Sequence, residues 1–161
     1  MGREIRRVDK NWSHPKGENG KYEPLYDYDF ETKMDDWISQ YTAWKNGTHP
    51  DQDDSNRSIP FHEWWGSPPY PDTCRPKFSN PTWYQAYETV SEGTPITPPF
   101  ETKEELVNYL VNNGDFWGNK WSRYAAEKFV NAEFAFSMMM SSKGVSRPSE
   151  DEYWKSEVGQ L

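Results

Sequence analysis

The sequence predicts an α+β fold: a small antiparallel sheet packed with about three helices and a long, ordered loop rich in proline and aromatic residues. Three observations predict it. Trp83 to Val90 is rich in strand formers and leads through a turn into an extended segment and a capped helix, not into a βαβ crossover. Phe30, Met34, Trp37, Ile38, Tyr41 and Trp44 recur with the 3.6-residue period of one helix face. Seven of the 35 residues from 47 to 81 are proline, which excludes a long helix or a central strand there.

Each element has a local reason. Residues 3–8 alternate so that a strand would put Arg3, Ile5 and Arg7 on one face and Arg6 with Val8 on the other. The helix over 30–46 has Asp29 as its cap and Gly47 as its stop, with its apolar stripe turned to the core. Glu31, Asp35 and Asp36 then fall on exposed flanks. The proline-rich wrap 47–81 is pinned by Phe61, Trp64, Trp65, Tyr70 and Phe78, with a helical turn at 61–65. Ser91 to Pro95 is a turn, and 96–100, with two prolines, is extended. Thr102 to Glu105 is a capping box before Leu106 and Leu110, and Gly114 ends that helix. A third helix starts at the Ser122 cap and either runs on to Met140 or, the reading favoured by the turn that follows, breaks near Asn131 and gives way to a strand through 136–140. Ser141 to Gly144 reads as a hairpin turn. Residues 150–161 read as a short helix or an acidic tail. The length of 161 residues predicts one domain.

Composition narrows the class. Leu, Ile, Val and Phe total 23 residues, about 14% of the chain, where values below about 20% with high net charge ordinarily mean disorder. Nine Trp and ten Tyr compensate, so the expected core is aromatic. The most apolar stretch, residues 134–140, is far short of the roughly 20 residues of a membrane span. No signal-peptide pattern is visible and Cys74 is single, which predicts a soluble cytoplasmic protein. The net charge of −8 is uneven: residues 1–21 carry net +3 and residues 23–54 net −7. Arg3, Arg6, Arg7 and Lys10 are expected to pair with the acids of 23–54, and the overall acidity argues against direct nucleic-acid binding.

Most of the chain resembles a family of small acidic phage and prophage proteins with no assigned activity. The resemblance rests on Arg3 to Val8, Asn11 to Pro15, Tyr84 to Pro95, Phe100 to Val107, Asn113 to Trp117 and Trp121 to Val130. The Glu88 to Pro95 block is the most specific part, and Phe136 departs from the proline of the family pattern. The resemblance implies a phage origin, in a bacterial host, and supplies no catalytic residues.

No catalytic or cofactor motif stands out. Asp51, Asp53 and Asp54 open like a calcium loop, but Asn56 stands where glycine is needed and His62 where a bidentate Glu is needed. Cys74 has no zinc spacing and no activating helix N-terminus. Ser91 lacks a nucleophile elbow. No metal, cofactor or membrane is implied. The expected function is non-catalytic binding of a host or phage protein, in a specific form as an inhibitor of a host factor whose acidic helix mimics nucleic-acid phosphates. The expected surface comprises Glu31, Asp35, Asp36, Asp51, Asp53 and Asp54 with Trp64, Trp65 and Tyr70 as aromatic anchors. Adjacent Trp64 and Trp65 point at least 100° apart, so one of them should resist burial. A virion component, and a small nucleotide-binding protein or enzyme using the Glu88 to Pro95 block, are the alternatives.

Overall fold

The computed structural model describes residues 2–136, 139–141, 144–146 and 150–155. They group into two compact units: Met1–Pro24 with Phe78–Leu161, here the sheet unit, and Leu25–Lys77, here the helix–loop unit.

In the sheet unit, strand β1 (Gly2–Val8) is central. It pairs antiparallel with the strand Trp83–Glu88 on one side and with Phe134–Phe136 on the other. The two-residue strand Thr94–Pro95 closes the other edge. Of the segment 96–100, expected to be extended, only Phe100 bridges the strand, at Tyr84, and the chain bends at Ile96 and Thr97. The helix Lys103–Asn113 has the full capping box of Thr102 and Glu105, and Gly114 ends it. The helix Arg123–Ala132 starts on the Ser122 cap and stops at Glu133 in a left-handed conformation. The break expected near Asn131 is therefore present, but the expected strand 136–140 is divided between Phe134–Phe136 of this sheet and Met139–Ser141 of a separate hairpin, with 137 and 138 outside the described residues. The hairpin Met139–Ser141 with Gly144–Ser146 and the helix Glu150–Lys155 complete the unit. Ser142 and Lys143 of the expected turn, and residues 156–161 of the expected tail, lie outside the described residues.

The core of this unit is not mainly aromatic. Ile5, Ile96, Leu106, Val107, Leu110 and Val130 join Ala86, Ala125, Ala126 and Ala135 around Phe129, Trp121, Tyr153 and Trp154. The scarce aliphatics are concentrated here, where helices meet sheet and close packing is needed.

Arg3, Arg6 and Arg7 each have a carboxylate partner outside 23–54. Arg3 meets Glu88, its cross-strand neighbour, at 3.1 Å. Arg6 meets Glu4 at 2.7 Å and lies over the Tyr87 ring. Arg7 meets Glu133 at 2.7 Å. These acids lie outside 23–54. Strand pairing brings β1 against its own sheet neighbours, and short-range geometry overrides the segment-level charge imbalance.

Glu133 is a junction. Its carbonyl accepts the Ile5 N–H at 2.9 Å, and its carboxylate meets Lys103 at 2.8 Å as well as Arg7. Hydrogen bonds from Lys103 first, then from Arg7, hold its carboxyl below the usual carboxylate range. A depressed folded value contributes stability above the unfolded value and loses it as pH falls through the folded one. Glu133→Gln should thus be less stable at neutral pH, by no more than about 1 kcal/mol for half-exposed groups. The deficit should shrink toward zero in acid, as read from urea unfolding across pH.

In the helix–loop unit, Tyr26–Asp29 is a short strand paired parallel with Cys74–Arg75, which closes the loop at its base. Between them lie the helix Phe30–Lys45, the short helix Phe61–Trp64 and a 3₁₀ turn at Pro71–Thr73. The short helix fits the turn expected at 61–65. No described helix is long and apolar enough to cross a membrane.

Candidate partner-binding surface

The helix Phe30–Lys45 forms because Asp29 accepts the Thr32 N–H at 3.0 Å, a bond that also holds the Asp29 carboxyl below its ordinary range. Gly47, at φ +72°, terminates the helix and turns the chain back. The wrap is then stapled to the helix by indole N–H groups. Trp37 donates to the Gly66 carbonyl at 3.0 Å, and Trp44 to that of Ile59 at 3.1 Å. A proline-rich segment has few N–H donors of its own, so side-chain donors take over the fixing.

The unit's centre is aromatic. Phe61 is buried, with the rings of Trp37, Tyr41, Trp44, His49 and Trp65 within 6.3 Å of it. His49 is buried, and its Nδ1 accepts the Asp51 N–H at 3.1 Å. Trp64 stacks on Trp44 at 5.6 Å and Trp65 on Phe61 at 6.0 Å. Each tryptophan presents one face to the cluster and remains 43% and 44% exposed, respectively. The expectation that adjacent indoles cannot both be buried holds for both. Tyr70 is 65% exposed, and its carbonyl anchors the 3₁₀ turn through Thr73.

The expectation of a committed apolar stripe fails. Among its six members only Trp44 is buried, and Ile38 and Tyr41 are 49% and 41% exposed. A four-residue helix covers only part of a stripe more than 100° wide. Ile38 sits at the stripe's edge. Ile38 and Tyr41 therefore join the exposed apolar surface, which the periodicity assigned to the core.

The six predicted acids are all exposed, but they are not equivalent. Glu31 lies 3.7 Å from Lys77, Asp36 3.7 Å from Lys33 and Asp54 3.3 Å from Arg57. Such surface pairs hold the charges loosely. Asp53 is different. It accepts from the Ser55 hydroxyl, the Ser55 N–H and the Asn56 N–H, bonds that lower its pKa and make it the keystone of the 51–56 turn. Asn56 is buried and returns a bond to the Asp51 carbonyl at 2.7 Å. Asp35 and Asp51 have no ion pair among the described residues. The unit carries ten carboxylates and five basic side chains, net −5 of the chain's −8.

No group of three or more His, Cys, Asp or Glu side chains among the described residues is placed to hold a metal ion. Cys74 is buried, and burial pushes its thiol up, away from the reactive thiolate. The arrangement provides acidic charge beside large, half-open rings. No family model, curated protein or solved structure matches the chain.

Proposed function

We infer that this chain is a non-catalytic phage accessory protein acting in the cytoplasm of a bacterial host. It binds a basic protein partner through the helix–loop unit. One observation carries this reading: Trp64, Trp65 and Tyr41 are left about half exposed by the same cluster that buries Phe61, in a unit of net −5. Half-covered tryptophan and tyrosine rings are the side chains that dominate protein interfaces. Carboxylates steer a basic partner toward them. In the specific form of the proposal, Glu31, Asp35 and Asp36 stand in for nucleic-acid phosphates facing a basic groove.

The indoles supply the test. Trp64→Ala and Trp65→Ala should each cost less stability than the 3–5 kcal/mol of a fully buried aromatic truncation, about 1–2 kcal/mol. At least one should weaken the complex with a partner captured from phage-infected cells by about 2 kcal/mol or more. Core-scale loss of stability in both variants, with binding otherwise intact, would make the rings part of the core and remove the anchors.

A further inference from the structure

The loop 114–121 of the sheet unit holds two large aromatic side chains outward on a frame built to be rigid. Asp115 is buried, and its carboxylate accepts the N–H groups of Trp117 and Asn119, the Asn119 amide and the Trp121 indole, at 2.9–3.2 Å. Gly114 has φ +75°, and a Cβ there would lie 2.5 Å from the Asn119 carbonyl oxygen, so the loop closes too tightly for any side chain at that position. The Phe116 N–H donates to the Ile96 carbonyl at 2.8 Å, which fixes the loop to the chain just after the strand Thr94–Pro95. Yet Phe116 and Trp117 are 44% and 45% exposed. Tyr22 stacks parallel on Phe116 at 5.9 Å and covers one face of that ring.

Tyr22, Phe116 and Trp117 line a groove of about 560 Å³ together with Lys16, Lys21 and Thr94. The volume suits a small-molecule ligand. Lys16 and Lys21 flank a tight turn in which the Gly17 N–H donates to the Lys21 carbonyl. Lys16 lies 4.7 Å from the centre of the Tyr22 ring. Neither lysine has an ion pair among the described residues, in a chain with 26 acidic side chains. The adjoining cleft differs. Its polar groups His14, Gln85 and Thr97 are committed to internal bonds: His14 Nε2 to the Glu23 carbonyl at 2.6 Å and Gln85 to the Thr97 carbonyl at 2.9 Å.

We propose that the groove binds a free mononucleotide. Its base packs against the exposed Trp117 ring, and its phosphate meets the ammonium groups of Lys16 and Lys21. An exposed indole suits a planar ring, because every base offers a π face. The two lysines with no carboxylate partner supply charge complementarity for a phosphate. A free nucleotide fits better than a strand, because a polyanion would meet the field of a chain of net −8. Thr94 belongs to the Glu88 to Pro95 block, so that segment gains a place in a site.

Titration of the protein with AMP, GMP, CMP and UMP, followed by tryptophan fluorescence, tests the proposal. At least one nucleotide should bind saturably by the millimolar range, with the matching nucleoside and inorganic phosphate each about tenfold weaker or more. Trp117→Ala, and Lys16→Gln with Lys21→Gln, should each weaken binding about tenfold, read by calorimetry, with unfolding midpoints unchanged. If Trp117→Ala does not fold, Trp117→Phe, which keeps a ring, should retain binding while the lysine variant loses it. Absence of binding by all four nucleotides, unchanged binding in the lysine variant, or binding of a short single-stranded oligonucleotide without any mononucleotide would overturn it.

Discussion

Arg3→Ala is expected to destabilise the sheet unit by about 3–5 kcal/mol, the scale for breaking a buried ion pair. Arg3 is 4% exposed and Glu88 fully buried, and they face each other across the two central strands at 3.1 Å. The guanidinium also lies 5.6 Å from the centre of the Trp121 ring, so the truncation removes packing as well as charge. What dominates the loss is the carboxylate left buried without its guanidinium. The double variant Arg3→Met with Glu88→Leu should therefore recover most of it, because well-packed apolar replacements avoid desolvating either charge. Urea unfolding of the two variants measures this. A loss below about 1 kcal/mol for Arg3→Ala would mean that the guanidinium is not what compensates the buried Glu88 carboxylate, which also accepts the Val90 N–H at 3.3 Å.

Phe129→Ala should cost about 3–5 kcal/mol in the same assay. Phe129 is fully buried, projects from the helix Arg123–Ala132 into the core, and packs 5.2 Å from Trp121. On its own helix the other buried residues are Ala125, Ala126 and Val130, which are too small to fill the space it would leave. Phe136→Ala, at a ring 47% exposed on the strand Phe134–Phe136, should stay within about 1 kcal/mol. Equal losses at the two positions would contradict the assignment of the core.

What could be read from the sequence was local. Asp29, Thr102, Ser122, Gly47 and Gly114 act within a few residues, and each caps or stops the helix it was expected to. The strand at Trp83–Glu88 and the hairpin at Ser141 and Gly144 also rest on local chemistry. Pairings over long separations were not legible. The two-residue strand Cys74–Arg75 meets Tyr26–Asp29 some 46 residues earlier, and nothing in so short a segment announces a partner. The same holds for Arg7, whose partner Glu133 lies 126 residues away. The grouping of Leu25–Lys77 as a unit of its own follows from such closures, so it was invisible to composition and length.

The surface was legible where solvation alone decides. Charged side chains at the flanks of an amphipathic helix face water, and Glu31, Asp35 and Asp36 do. The exposure of Ile38 and Tyr41 was not, because periodicity says which residues share a face but not how much of that face the rest of the chain can cover. The role of Asp53 was also hidden. Its turn depends on the spacing to Ser55 and Asn56, which the reading as a failed calcium loop passed over.

The most direct measurement of the binding proposal is the affinity of the triple variant Glu31→Lys, Asp35→Lys, Asp36→Lys for the basic partner captured by the unaltered protein. The surface pairs of Glu31 with Lys77 and Asp36 with Lys33 are loose, so the variant should remain folded, checked by its unfolding midpoint. Reversal of three charges should slow association and lower affinity at least about tenfold, more at low salt than at high. A folded variant that binds with unchanged affinity and unchanged salt dependence would contradict the account.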